Sequence, residues 1–355
     1  MIEERLRLAR KSAGLSLRDV AKATGLSAVA ISKYETGQLT PSSDRLLALA
    51  QALGVRVEYF FRPETLRLER VEYRKRSTLG KKALQRIEGN VLEQVERVVE
   101  LLTFFPHSPT SRFELPAILS GPIDSLGEIE HAAEGLRELW NLGLDPIADL
   151  TSVLEEHGIF IVTCNAPAKG RFDGLAGHVD GFPVIVVGSD WPGDRQRFTL
   201  AHELGHLVLG ERLASHLAEE KACNRFAGAF LAPARTVREA LGEHRARIEP
   251  RELLVLKQEL GLSMQALLFR AKDLGILPPS SFERAFREFS VHGWRADEPG
   301  EPVPPEHPRL LEQLAYRALA EDLIGESKAA ELLGLPLGRF REERRLEPAH
   351  AAADQ

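Results

Sequence analysis

Apolar residues recur at the three- and four-residue spacing of helices through the first sixty positions. The first helical pattern places Ile2, Leu6 and Ala9 on one side, and three more patterns follow it. Serine accepts hydrogen bonds from the free amides at a helix start, and glycine favours the left-handed backbone that ends a helix. These residues come in the expected order: Ser16, Ser27 and Ser42 before helices, and Gly14, Gly25, Gly37 and Gly54 after them. The pattern predicts an all-α domain over residues 1–62.

Within this domain, two short helices joined by a tight glycine turn over residues 19–35 are typical of a helix-turn-helix motif. The segments GLSLRDVA from Gly14, TGLS from Thr24 and ISKYETG from Ile31 resemble the Xre family of DNA-binding domains. Leu17 departs from that family, which often has glutamine at this position. The resemblance implies a homodimer that binds a double-stranded DNA operator. It also implies that the residues at the DNA are Arg18, Ser27, Ala28, Val29, Ser32 and Lys33.

The central region mixes helical and strand patterns. Its predicted elements are helices at 129–142 and 147–157, strands at 158–163, 174–179 and 182–187, and a helix at 195–210. Short runs rich in valine and isoleucine, bounded by glycine and proline, are typical of buried strands. The pattern therefore predicts an α+β domain with a small sheet, inside a chain that is mainly α overall.

The helix at 195–210 contains the sequence His202-Glu203-Leu204-Gly205-His206. Residues four apart share one face of a helix, so His202 and His206 are expected to direct imidazole nitrogens at one metal ion. Glu203 lies beside them, where a carboxylate acts as general base on water. Catalytic zinc takes three protein ligands and one open position, and a further helix at 218–231 offers candidates for the third ligand.

These two helices resemble the ImmA/IrrE family of metallopeptidases, and the resemblance covers about residues 125–280. The matching segments are RFTLAHELGH from Arg197, EEKACNRFA from Glu219, LAP from Leu231, FDGLAG from Phe172 and PVIVV from Pro183. The family has a zincin-like α+β fold with gluzincin-type ligands.

The resemblance implies that Zn²⁺ is bound by His202, His206 and Glu220, with Glu203 as the general base. Asn224 lies one helical turn beyond Glu220 and is expected to support that carboxylate. Glu219 is the alternative third ligand.

The segments outside these two regions carry weaker signals. Residues 63–124 are interpreted as a linker that is basic at first and then helical. Residues 281–308, which end in a proline-rich stretch, are interpreted as a second linker. The C-terminal helical element, 309–346, is a sensor, a dimerisation element or a lid, and the tail 347–355 is expected to be disordered. A helix–glycine–serine–helix outline at 253–277 is assigned a packing role.

Composition narrows the class of protein. The 355 residues are 28% charged and 43% hydrophobic, which is typical of a globular chain of two or three domains. No apolar run reaches the length of a membrane helix, and the first residues do not resemble a signal peptide. Cys164 and Cys223 are too far apart in the sequence for a disulfide framework, which favours a cytoplasmic protein.

The net charge of −6 is divided unevenly along the chain. Residues 1–90 hold 18 Lys+Arg and 10 Asp+Glu, hence +8, and the remainder carries −14. This division favours contact of a polyanion with the N-terminal part alone.

Three functional hypotheses follow from these features. The first is a regulator whose zinc endopeptidase cleaves a repressor or antitoxin-like protein, or its own chain, in stress, phage or mobile-element control. The second is a transcription factor whose peptidase fold is a non-catalytic sensor, or a component of a toxin–antitoxin module. The third is a general degradative peptidase, which the DNA-binding pattern disfavours.

Overall fold

The computed structural model describes residues 2–61, 68–69, 81–115, 121–165 and 172–346. Their fold is mainly α-helical with a small sheet, as the sequence predicts. They divide into two compact units: the first holds the described residues of Met1–Glu69, Leu79–Ser111 and Pro308–Gln355, and the second those of Arg112–His307. None of the described helices is both long and apolar enough to cross a membrane. The tail predicted to be disordered, 347–355, lies outside the described residues.

Helices dominate both units. In chain order they are α1 Ile2–Ser12, α2 Leu17–Thr24, α3 Ala28–Glu35, α4 Ser43–Leu53, α5 Lys81–Leu102, α6 Leu126–Leu139, α7 Leu150–Glu156, α8 Gly193–Leu209, α9 Glu219–Leu231, α10 Ala234–Leu241, α11 Pro250–Leu260, α12 Met264–Asp273, α13 Pro279–Val291, α14 Leu310–Ala320, α15 Glu326–Leu332 and α16 Leu337–Arg344. The strands are β1 Leu68–Glu69, β2 Phe160–Cys164, β3 Gly174–Val179 and β4 Phe182–Gly188. Short 3₁₀ helices lie at Val57–Phe61 and Gly210–Arg212.

The N-terminal helices begin and end where the sequence predicts, although the Ser42 side chain makes no capping hydrogen bond to α4. The Ser16 hydroxyl accepts a hydrogen bond from the Asp19 amide, and the Asp19 carboxylate accepts one from the Ser16 amide, so α2 has a complete capping box. The Ser27 hydroxyl caps α3 in the same way. Gly25 and Gly54 end α2 and α4 with φ near 70°, a conformation that glycine adopts without strain. The helices enclose an apolar core that includes Leu6, Val20, Ile31, Leu49 and Phe60.

A long helix, α5, connects the two ends of the chain within the first unit. It packs along α1, where a Cβ on Gly89 would lie 1.9 Å from the Ser12 hydroxyl, so only glycine fits there. Its C-terminal end packs against the C-terminal helices α14 and α15, in a core that includes Leu101, Leu314 and Phe340. The C-terminal helical element therefore belongs to the same compact unit as the helix-turn-helix.

A buried ion pair fixes the contact between α1 and α5. The Arg5 guanidinium donates to the Glu96 carboxylate, and both side chains are almost fully buried. The Arg5 guanidinium also lies over the Tyr59 ring, 5.3 Å from its centroid. Burial, together with the nearby Glu96 charge, raises the pKa of Tyr59 to about 12. Three polar groups that are costly to desolvate thus interact with one another here.

The sheet of the second unit places helix α8 against its inner face. Strand β2 runs parallel to β4, and β3 runs antiparallel to β4, which gives the order β3–β4–β2. Val184, Ile185 and Val186 on β4 are completely buried. Helix α8 contacts both β3 and β4, and its other side packs against α9. This arrangement confirms the predicted α+β domain.

The two predicted linkers differ from what the structure shows. Residues 281–308 were expected to form a linker, but most of α13 and an ordered segment over residues 297–307 lie there within the second unit. In the other linker, 63–124, α5 belongs to the first unit, whereas Ile123 is paired with Leu213 of the second. The linkers were predicted from proline and charge content. Contacts with residues far away in the sequence leave no local pattern, so nothing in these segments argued against a linker. The helices α11 and α12 pack into the core, as expected for 253–277.

Replacing Glu96 with alanine is expected to destabilise α1 and α5 by about 3–5 kcal/mol, because the buried Arg5 charge loses its carboxylate. Amide hydrogen exchange in these two helices measures the change as a free energy of opening. The double variant Arg5→Met, Glu96→Leu removes both charges and should recover most of the loss. An equal loss in the double variant would show that packing, and not charge pairing, stabilises the contact.

Candidate metal centre and DNA-recognition helix

The candidate metal centre lies between α8 and α9, and Gly205 determines how closely these helices approach. A Cβ built on Gly205 would lie 3.3 Å from the Cα and Cβ atoms of Cys223 and from the Phe226 ring. Cβ atoms seldom have contacts that short, so a side chain at this position would require the neighbouring atoms of α9 to shift by a few tenths of an ångström. Cys223 is completely buried in this contact, so its side chain packs between the two helices.

His202 and His206 face the same point from successive turns of α8. Their Nε2 atoms lie 3.3 Å apart, and His202 itself is buried. Two ligands bound tetrahedrally at about 2.0–2.1 Å from one zinc ion are separated by about 3.3–3.4 Å. The separation of the two imidazoles therefore suits a shared zinc ion.

The other ring nitrogen of each histidine is held by a side chain of α9. Asn224 Oδ1 lies 2.9 Å from His202 Nδ1, and Glu219 Oε1 lies 2.9 Å from His206 Nδ1. Both oxygens are acceptors, so each Nδ1 donates its proton and each Nε2 keeps a lone pair for a metal. The prediction for Asn224 is corrected in one respect, since its oxygen supports His202 and not the carboxylate of Glu220.

Glu220 supplies the third potential ligand atom of the cluster, a carboxylate oxygen. Its Oε2 atom lies 3.7 Å from His202 Nε2, and the potential ligand atoms of His202, His206 and Glu220 all lie within 4.8 Å of one another. Glu219, the alternative ligand, lies on the Nδ1 side of His206, away from this point. The Glu220 side chain is 51% exposed, so the cluster opens to solvent on that side.

Glu203 lies on the same helix between the two histidines and is 4% exposed. Its Cγ would be 3.5 Å from a Cβ on Gly174, the first residue of β3, and that Cβ would also lie 2.5 Å from Thr199 Cγ2. Glycine at this position therefore allows β3 to pass close to α8 beside Glu203. Sequence reasoning did not identify Gly174 or Gly205 as site residues, because a glycine that permits close approach has no local signal.

The candidate DNA-recognition helix is α3, which presents small and basic side chains to solvent. Val29 is 65% exposed, Lys33 is exposed, and Ile31 and Tyr34 on the opposite side are buried. Glu35 at the end of the helix accepts two hydrogen bonds from Arg10, at 2.6 and 2.8 Å, so its negative charge is neutralised. Pairing with Glu35 raises the pKa of Arg10.

The structure leaves the predicted DNA contacts accessible. Arg18, Ser27, Val29 and Lys33 are exposed, and Ala28 and Ser32 are partly exposed. The Ser27 hydroxyl already accepts the Ala30 amide, so its first role is to begin the helix. An exposed helix with a valine and a lysine fits the major groove of DNA in size and charge.

Comparison with protein families supports both predicted resemblances, one near the N-terminus and one in the central region. A family model described as helix-turn-helix matches residues 6–60, and a model described as IrrE N-terminal-like domain matches residues 154–272. These matches support a DNA-binding regulator with a peptidase-like domain of metallopeptidase fold. The chain is thus similar to a helix-turn-helix domain near its N-terminus and to an IrrE/ImmA-type domain in its central region, as the two resemblances imply. No curated protein matches the chain.

Two neighbouring glutamates are expected to affect zinc binding differently. Glu219→Ala removes the acceptor of His206 Nδ1 and should weaken zinc binding by about 10–100-fold. Glu220→Ala removes the predicted third ligand and should weaken zinc binding further. Competition with a chromophoric zinc chelator measures both, and Glu239→Ala, an exposed acid on α10, serves as the control. A larger effect for Glu219→Ala than for Glu220→Ala would identify Glu219 as the ligand.

Removal of one basic residue from the recognition surface is expected to lower the salt dependence of DNA binding. Arg18→Ala or Lys33→Ala should each reduce the slope of log affinity against log salt by about 1 if its charge meets a phosphate. The measurement uses an operator selected in vitro from random duplexes. Arg251→Ala, an exposed arginine of α11, is the control, and a slope unchanged by both test variants would exclude phosphate contact at these residues.

Proposed function

We propose that this protein is a transcriptional regulator that carries a zinc-dependent endopeptidase. The observation that supports the peptidase is the convergence of His202, His206 and Glu220 within 4.8 Å, with Glu203 between the histidines on α8. A structural zinc site needs a fourth protein ligand, and neither buried cysteine belongs to this cluster of ligand atoms. Three ligands and an opening toward solvent are typical of a catalytic site.

The donor set suits Zn²⁺, which prefers imidazole nitrogen and carboxylate oxygen. His202, His206 and Glu220 would hold the ion. When bound, zinc supplies a Lewis acid that polarises a peptide carbonyl and lowers the pKa of water. Asn224 and Glu219 keep the two imidazoles in the tautomer that leaves Nε2 available.

Glu203 would perform the proton transfers of peptide hydrolysis. Its carboxylate accepts a proton from the attacking water and returns it to the nitrogen of the departing amine. Such a residue must be close to the water and partly shielded from solvent, and Glu203 is buried on the helix that carries both histidines. A purely structural role for this domain would not require a carboxylate at this position.

The DNA-binding domain indicates where the peptidase acts. A chain held on an operator by α3 stays close to other proteins bound to the same DNA, which raises their effective concentration at the cleft. We therefore propose a repressor or antitoxin-like protein, or the chain itself, as substrate, in the control of stress responses, phages or mobile elements. Operator binding also favours a homodimer, because paired half-sites match a twofold axis, and it favours a cytoplasmic location.

Glu203→Gln tests this function because it keeps the size of the side chain and removes the base. The variant should retain about one zinc per chain and bind DNA like the wild type, while cleavage falls by about 10²–10⁴-fold. His202→Ala, as the matched control, should lose the zinc itself. Metal content is measured by mass spectrometry, and cleavage by comparing new protein N-termini in cells that express each variant.

Three results are informative. New N-termini in a repressor-like protein, or in this chain, that need Glu203 support the proposal and identify the substrate. Normal regulation by Glu203→Gln, with no cleavage in the wild type, would favour the sensor hypothesis. A wild-type protein without zinc after metal loading would contradict the peptidase.

A further inference from the structure

Residues 297–307, called the strap here, follow α13 and end where the chain enters the first unit at Pro308. The strap lies beyond the IrrE N-terminal-like match, which ends at residue 272. Pro299, Pro302, Pro304 and Pro305 restrict its backbone before folding, so ordering it costs less conformational entropy than an ordinary loop. The strap bends at Pro299 and Gly300, has neither helix nor strand over residues 301–307, and carries acidic residues near both ends.

The middle of the strap lies directly on the first turn of α8. The Gly193 amide donates to the Val303 carbonyl at 2.8 Å. A Cβ on Gly193 would lie only 2.0 Å from the Pro304 oxygen, so no other residue allows this approach. The start of the metal-binding helix is therefore shaped to receive the strap.

The C-terminal end of the strap pairs with a buried arginine of α8. The Glu306 carboxylate accepts a hydrogen bond from the Arg197 guanidinium, and its other oxygen accepts the Thr151 amide at 2.8 Å. Arg197 is 5% exposed and also donates to the Ile147 carbonyl at 2.6 Å. Glu306 thus joins α8 to the first turn of α7.

The N-terminal end of the strap forms a second buried charge network. Glu298 accepts hydrogen bonds from Lys257 and from the Met264 and Gln265 amides, all at 2.9 Å, and so caps α12. Lys257 also pairs with Asp194 of α8 at 3.0 Å. Burial lowers the pKa of Lys257, but its bonds to Glu298 and Asp194 outweigh this effect and the pKa is raised.

We propose that Glu298 and Glu306 are positioning residues for the metal centre. Through their contacts the strap holds α8, and with it His202 and His206, in position relative to α9. Glu306 binds Arg197 of α8 directly, and Glu298 acts on Asp194 of α8 through Lys257. Arg197 lies five positions before His202 on one continuous helix. A helix of 17 residues moves as a rigid rod, so a rotation or slide at its first turn shifts both histidines relative to Asn224 and Glu219 on α9. The inference rests on the proposed function in one respect, that His202 and His206 bind zinc.

The test measures zinc affinity and the seating of the strap in the full-length protein. Glu306→Ala should weaken zinc binding at least tenfold and accelerate exchange of the Gly193 amide, which donates to the strap. Glu306→Gln keeps an acceptor for Arg197 or Thr151 and should restore part of the affinity. Glu301→Ala is the matched control, since Glu301 is an exposed glutamate of the strap, and it should stay within twofold of the wild type.

A role in stability alone would give a different pattern. Glu306→Ala would then lower the unfolding temperature of the zinc-free protein, yet the folded variant would bind zinc within twofold of the wild type, and the proposal would be wrong. An unchanged Gly193 amide in Glu306→Ala would also overturn it. If Glu306→Ala does not fold, the milder Glu306→Gln decides by the same two readings. Absence of zinc from the wild type itself would instead contradict the proposed function.

Discussion

The close packing of α8 on α9 at Gly205 is the constraint on which the candidate metal centre depends. The helices approach so closely that a single added methyl group would lie 3.3 Å from three atoms of α9. At this separation the polar groups of α9 reach the histidines of α8: Asn224 to His202, and Glu219 to His206. These hydrogen bonds orient two imidazoles toward one point, so close apolar packing at a glycine supports the geometry of a polar site.

Buried charges then hold each element in one arrangement. Arg270 donates two hydrogen bonds to Glu130, which ties α12 to α6, and Arg225 of α9 pairs with the same carboxylate. A desolvated charge tolerates few packings, because any arrangement that separates it from its partner costs several kcal/mol. The pair of Arg5 and Glu96 is buried in the same way in the first unit, so separating its charges is also costly. Such pairs therefore contribute more to the definition of a unique packing than to net stability.

Local features of the fold could be predicted from the sequence, and contacts between distant segments could not. Ser16, Gly25 and the spacing of His202 and His206 act within one or two helical turns, so a short stretch of sequence contains the whole signal. The strap was predicted as a linker because proline is typical of linkers, whereas its order comes from Arg197 and Lys257, over 40 residues away in the sequence. For the same reason Asn224 was assigned to the neighbouring Glu220 and not to His202 on another helix.

The order of segments along the chain links the two proposed activities more directly than either family match does. After the strap, the chain continues at Pro308 into α14, and α14 packs with α5 in the unit that contains the recognition helix α3. A segment that pairs with α8 is therefore covalently continuous with an element of the DNA-binding unit.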